Sequence, residues 1–80
     1  MLASLSLRNQ KLFEALRQWR SQTAKCLGKP PYVIFKDTTL LEIAVEHPAS
    51  EDELRQISGV GEKKLLNYGE DVLQIVAKEM

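Results

Sequence analysis

The 80-residue sequence is poor in the residues from which disulfides and metal centres are built. Its one cysteine, Cys26, cannot form an intrachain disulfide, which fits a reducing compartment. Its one histidine, His47, has no partners at metal-ligand spacing. No apolar run approaches the about 20 residues that cross a bilayer, and the N-terminus lacks the apolar core of a signal peptide. We therefore expect no disulfide scaffold, no metal centre and no membrane-spanning segment.

Catalytic patterns are equally scarce. The stretch Gly59–Gly61 lacks the third glycine and the preceding strand of a dinucleotide site, and no nucleophile elbow or pair of catalytic carboxylates stands out. We interpret His47 as an ordinary helix-terminal residue and Cys26 as a small, partly buried one. The chain by itself is predicted to be neither an enzyme nor the holder of a cofactor.

Charge is balanced in total but not along the chain. Residues 1–36 carry seven cationic side chains against one acidic side chain, a net +6, and residues 37–80 carry four against ten, a net −6. Such asymmetry indicates either a surface that faces a polyanion or two halves that attract each other in the fold. Charge alone leaves both readings open.

Apolar periodicity predicts a single all-α domain over residues 1–80, with residues 1–6 as a lead-in. Four to five helices and no sheet are expected. The first helix runs from about Leu7 to Leu27, with Ser6 as its cap and Gly28 as its end. Its inner face holds the residues that share one side of a 3.6-residue period, which are Leu12, Leu16, Thr23 and Leu27.

The remaining segments are shorter. "KPPYVIFK" predicts an extended, partly buried Pro-rich loop packed on the first helix. A helix capped by Asp37 then stops at Pro48, and Ser50 with Glu53 forms a capping box for the next. After Gly59-Val60-Gly61 a short helix is expected from about 62 to 68, where Gly69 breaks it, and a last helix over 70–80.

The corner Gly59-Val60-Gly61 admits two interpretations. It resembles a helix-hairpin-helix turn, in which free N–H groups at a helix start hold a phosphate and Lys63 and Lys64 add charge. Alternatively, Gly59 allows a positive φ and Val60 plugs into the core, which makes the corner structural. Because Glu62 would occupy the positive end of the new helix and repel a phosphate, we favour the structural interpretation.

Three motifs in order carry a resemblance to a known family. "LFEALRQWR", "PPYVIFKDTTL" and "ISGVGEKKLLNYG" resemble the HRDC domain, the helicase-and-RNase-D C-terminal module, above all those of bacterial RecQ helicases. The likeness covers about Leu12 to Val76. It implies a compact bundle of about five helices and a non-catalytic accessory role in an ATP-dependent DNA helicase active in DNA repair and recombination. The implied ligand is single-stranded or branched DNA, bound weakly and without regard to sequence, while ATP and Mg²⁺ would belong to the parent protein.

The resemblance also implies site residues. Tyr32 matches the aromatic of the PPY motif, which contacts single-stranded DNA in some bacterial members, and an exposed aromatic ring can stack on any base. Lys29 and Lys36 flank it and suit phosphates, with Lys63 and Lys64 as secondary candidates. Other basic or aromatic side chains are given structural roles: Arg20 is expected in an ion pair, Trp19 at the edge of the core and Tyr68 against the final helix.

Two further functions stay open. The acidic half, through Glu51, Asp52 and Glu53, is a candidate surface for docking a basic partner such as the helicase core of the same chain. A ribonuclease D-like parent would make RNA the substrate. In either case we expect a monomer in the bacterial cytoplasm, and for the helicase an association with the nucleoid.

Overall fold

Five helices make up the part of the chain that the structure, a computed structural model, describes, which is residues 6–79. In chain order they are α1 (Leu7–Leu27), α2 (Pro31–Ile34), α3 (Asp37–Glu46), α4 (Glu51–Arg55) and α5 (Glu62–Glu79). No strand occurs in residues 6–79. Helix α1 packs against α2, α3 and α5, and α4 packs on α5. The all-α bundle predicted from the sequence is confirmed, and of the lead-in predicted for residues 1–6 only Ser6 lies within the described residues.

Helix α1 begins and ends where its capping residues predict. The Ser6 hydroxyl accepts a hydrogen bond from the Asn9 N–H at 3.2 Å, and Gly28 adopts a left-handed φ of 67°. The buried side chains of α1 are Leu12, Phe13, Leu16, Arg20 and Ala24. Leu27, which we expected on the inner face, is 49% exposed. It is the last residue of α1, and the chain turns away at Gly28 before anything covers it.

The prediction of an extended path through the Pro-rich segment is wrong for Pro31–Ile34, which forms the single turn α2. Pro30 is the N-cap with extended backbone, so Pro31 takes the first helical position, where its fixed φ suits a helix and its missing N–H costs nothing. The extended path does hold at Phe35. Packing on α1 is confirmed, since α2 contacts α1 and the fully buried Phe35 ring lies 6.0 Å from that of Trp19 in α1.

Helix α3 starts one residue earlier than its predicted cap implies. Lys36 is the N-cap and Asp37 is the first helical residue, so Asp37 does not cap the helix. Its carboxylate lies 2.7 Å from Arg20 instead. The helix ends at His47, which takes a left-handed φ of 49° and donates its N–H to the Ile43 carbonyl. His47 is thus helix-terminal, as predicted, and its Nε2 lies 2.6 Å from Asn9 Oδ1.

Helix α4 begins at the predicted cap Ser50, but the Glu53 side chain bonds the residue before the cap and not the cap itself. The Ser50 hydroxyl accepts from the Glu53 N–H, and the Glu53 carboxylate accepts from the Ala49 N–H at 2.8 Å. Gly59 adopts a φ of 91°, and Val60 is buried in the core. The backbone at Ser58 is fixed from α3, because the Thr39 hydroxyl donates to the Ser58 carbonyl at 3.1 Å.

Replacing Gly59 by alanine is expected to lower the free energy of unfolding by about 2 kcal/mol, because an L-residue is strained at positive φ. The added Cβ would also stand 2.4 Å from Thr39 Oγ1. Gly61 is the matched control, since a Cβ there meets nothing within 4 Å and its φ is not positive. Urea denaturation followed by circular dichroism measures both variants. Equal stability of the two would contradict this account of the corner.

Helix α5 is continuous through Gly69, so the predicted break there is wrong. Leu65, Gly69, Val72 and Val76 are all buried and lie on one face. A Cβ at Gly69 would stand 3.0 Å from Leu65 Cδ1 and 3.7 Å from Leu54 Cδ2. Glycine in a helix costs about 1 kcal/mol relative to alanine, and here the space that a Cβ would occupy is limited mainly by Leu65 of the same helix.

Candidate nucleic-acid interface

Tyr32 projects from α2 into solvent. Its side chain is 66% exposed, whereas Ile34 in the same turn is fully buried. Residues two apart on a helix differ by about 200° in direction, so burial of Ile34 turns Tyr32 outward. The ring of Tyr32 makes no contact with the Trp19, Phe35 or Tyr68 rings. The Tyr32 side chain is therefore accessible to a ligand from the solvent.

The two lysines that flank Tyr32 are exposed and free of carboxylates. Lys29 follows the turn at Gly28, and Lys36 caps α3 through its backbone. All four ion pairs within residues 6–79 use arginine, and no lysine there lies within 4.0 Å of a carboxylate. The ammonium groups of Lys29 and Lys36, which flank Tyr32 in sequence, are thus available to an external anion.

Arg20 fixes the segment that carries this surface. Its side chain is 9% exposed, and it donates from Nη1 to the Phe35 carbonyl at 2.9 Å and from Nη2 to Asp37 at 2.7 Å. The ion pair predicted for Arg20 is confirmed. Because the guanidinium neutralises Asp37, the acid nearest to Lys36 in sequence has its charge compensated within the domain.

The corner's two lysines have different surroundings. Lys63 is exposed, while Lys64 is half-buried with its Nζ 5.5 Å from the centroid of the Phe35 ring. Glu62, in the first turn of α5, accepts a 2.5 Å hydrogen bond from Arg55 Nε. That bond, with the charge of Glu62, raises the pKa of the Arg55 guanidinium above its ordinary value. A carboxylate at the helix start supports the structural interpretation of Gly59-Val60-Gly61 over phosphate binding by the backbone N–H groups of this turn.

Three aromatic rings meet between α1, α5 and the segment after α2, and the sequence did not predict their meeting. Trp19 and Phe35 have ring centroids 6.0 Å apart, and Tyr68 lies 5.9 Å from each. Trp19 at the edge of the core is confirmed. The prediction that Tyr68 packs against the final helix is wrong, because Tyr68 is itself part of α5 and packs on Trp19 of α1 and on Phe35. No local pattern signals a cluster drawn from such distant positions.

The three acidic candidates lie in the first turn of α4. Asp52 pairs with Arg55 at 2.7 Å, and Glu53 accepts from the Ala49 N–H, so two of the three are engaged within the domain. Glu53 also lines a groove of about 450 Å³ with Glu42 and Glu46, residues that the sequence did not single out. That a basic partner docks through Glu51, Asp52 and Glu53 stays a prediction.

Other site types are absent from the described part of the chain. Within residues 6–79 no group of three or more His, Cys, Asp or Glu side chains is placed to hold a metal ion. None of the helices there has the length and apolar character needed to cross a membrane. Cys26 is exposed, which corrects the partial burial expected for it. Its position near the end of α1 leaves it uncovered, as it does Leu27.

Comparison with known proteins supplies relatives of the whole fold. The ATP-dependent DNA helicase RecQ of Bacillus subtilis is 47% identical over 66 residues, which cover 82% of this chain and 11% of that protein. The ATP-dependent DNA helicase UvrD2 of Mycobacterium bovis is 44% identical over 68 residues, 85% of this chain and 10% of the helicase. Ribonuclease D of Desulfotalea psychrophila is 33% identical over 67 residues, 84% of this chain and 18% of the enzyme. The chain thus spans about a tenth of the length of the helicases it matches.

A solved structure matches nearly the whole chain. The structure of HRDC domain 3 of D. radiodurans RecQ superposes on this chain with a TM-score of 0.84 at 36% identity. The match covers 88% of this chain and 92% of that one. The family model described as the HRDC domain matches residues 9–76. With the five-helix bundle, this match confirms the resemblance: the chain belongs to the HRDC domain family.

Proposed function

We propose that this domain binds single-stranded DNA weakly and without regard to sequence, as an accessory module of an ATP-dependent DNA helicase. The observation that carries the proposal is the exposed ring of Tyr32, flanked in sequence by Lys29 and Lys36, which no carboxylate within residues 6–79 neutralises. The ring offers a stacking surface to any base, and the ammonium groups attract the phosphates on either side.

The parent protein extends this proposal. The similarity to RecQ and UvrD2 supports a helicase whose motor, with its ATP and Mg²⁺, lies outside this chain. Such a protein acts on DNA in the bacterial cytoplasm and its nucleoid. Within it the domain adds a weak hold on displaced single strands, or on branched junctions that contain them, and does so as a monomer.

A salt titration tests the proposed binding. The affinity of the 80-residue chain for a labelled oligo-dT is measured by fluorescence anisotropy at increasing ionic strength. We expect a dissociation constant in the micromolar range or weaker, and a slope of log affinity against log salt of about −0.7 for each phosphate contacted. With Lys29 and Lys36 engaged, the slope is about −1.4 or steeper. Binding that ignores ionic strength would overturn the proposal.

RNA is the second candidate ligand, because a ribonuclease D is among the relatives. Its lower identity favours the helicase assignment. Competition between oligo-dT and oligo-U of equal length separates the two. The helicase reading predicts that oligo-dT binds at least as tightly as oligo-U, and clear preference for oligo-U would favour the ribonuclease D-like parent.

A further inference from the structure

Lys64 is held in a fixed place at the start of α5. Its ammonium stands over the Phe35 ring at 5.5 Å, a cation–π distance. No carboxylate in residues 6–79 pairs with it. Glu62, two positions earlier, is paired with Arg55 and so does not neutralise it. Lys63 has the same charge but makes no such contact with a ring.

The surface above Phe35 is therefore both aromatic and positively charged. Phe35 itself is fully buried, and the half-buried Trp19 and Tyr68 rings surround it. We call the region formed by Trp19, Tyr68 and Lys64 over the buried Phe35 ring the aromatic surface. Trp19 and Tyr68 are only partly buried, and partly exposed indole and phenol side chains can contact bases or sugars, while the ammonium can contact a phosphate.

The aromatic surface lies within a short distance of Tyr32. Tyr32 and Phe35 are three residues apart, so their Cα atoms are at most about 11 Å from each other. Lys36 directly follows Phe35 in sequence and makes no ion pair within residues 6–79. A flexible strand held at Tyr32 needs only a few further nucleotides to reach Lys64.

We propose that the single strand bound at Tyr32 continues over the aromatic surface, with Lys64 contacting a phosphate and the edges of Trp19 and Tyr68 contacting the adjoining nucleotide. This inference rests on the proposed DNA binding and adds a second part to the site. It also separates the two corner lysines, because Lys64 belongs to the binding path and Lys63 does not.

Two variants with equal change in charge test the path. Lys64→Gln and Lys63→Gln are titrated with labelled oligo-dT at several salt concentrations. Lys64→Gln is expected to lower the affinity for oligo-dT about three- to tenfold and to make the slope of log affinity against log salt shallower by about 0.7. Lys63→Gln is expected to keep the slope of the unsubstituted chain. Lys64→Arg, which retains the charge, restores the slope. Equal effects of the two glutamine variants would overturn the inference.

Trp19 supplies an independent readout, since it is the one tryptophan of the chain. Its emission is expected to change on addition of unlabelled oligo-dT, with the same midpoint as the anisotropy titration. If the unsubstituted chain binds oligo-dT and Tyr32→Ala does not, while Trp19 emission stays constant, the aromatic surface is not contacted and this inference alone fails. If the unsubstituted chain binds no oligo-dT at all, the proposed function fails and the inference with it.

Discussion

Replacing Tyr32 by alanine is expected to weaken oligo-dT binding by about five- to 150-fold. The physical reason is loss of the stacking surface, because base–aromatic stacking contributes about 1–3 kcal/mol per base. Tyr32 is 66% exposed and makes no ring contact within the domain, so its removal leaves the fold intact. Fluorescence anisotropy at low salt, with circular dichroism as a check of folding, measures the effect.

Two controls make this prediction specific. Tyr32→Phe retains the ring, and its dissociation constant for oligo-dT is expected to lie within about twofold of that of the unsubstituted chain. That result would exclude a role for the hydroxyl. Leu66→Ala removes another highly exposed side chain, at 86% exposure, from the second turn of α5 and is expected to leave binding unchanged. Should Tyr32→Ala bind as tightly as these two controls, the ring has no part in recognition.

The second large effect concerns stability. Phe35→Ala is expected to lower the free energy of unfolding by about 3–5 kcal/mol, the usual cost of emptying a buried aromatic site. The Phe35 ring is fully buried against Trp19 and Tyr68, and Lys64 covers it. For a domain of this size the whole stability is about 4–12 kcal/mol, so the variant is expected to be partly unfolded at 37 °C. Urea denaturation measures the loss.

Tyr32→Ala is the matched control for Phe35→Ala, because both remove an aromatic ring from the same short segment. An exposed substitution away from special features changes stability by about 0.5 kcal/mol or less. The pair therefore divides the segment into a ring that binds and a ring that holds the fold. A Phe35→Ala midpoint indistinguishable from that of Tyr32→Ala would contradict the packing described for the aromatic surface.

Local chemistry was enough to predict most helix ends. The capping residues bond backbone groups only a few positions away in sequence, so their effect can be predicted from the local sequence. They are Ser6, Gly28, Ser50 and Glu53. The positive φ of Gly59 belongs to the same class. The prediction of an exposed aromatic at Tyr32 came from the family resemblance, not from periodicity.

The errors arose where distant packing overrides local preference. Gly69 is predicted to break a helix by propensity, yet α5 continues through it, with Gly69 buried on the same face as Leu65 and Val72. Pro31 was read as incompatible with a helix, but the first helical position accepts it. The approach of Lys64 to Phe35, and of Tyr68 to Trp19, joins residues far apart in the chain. Only the tertiary fold brings these residues together, which is why the sequence could not distinguish Lys64 from Lys63 as a candidate for DNA binding.

The central claim is that a single strand is held at Tyr32 between Lys29 and Lys36. The most direct measurement is a map of backbone amide shifts in two-dimensional NMR spectra as unlabelled oligo-dT is added at low salt. We predict the largest shifts at residues 29 and 32–36, with smaller ones at Trp19, Lys64 and Tyr68. Shifts centred on Glu51, Asp52 and Glu53, with residues 29–36 unmoved, would contradict the claim and assign the contact to the acidic half of the domain.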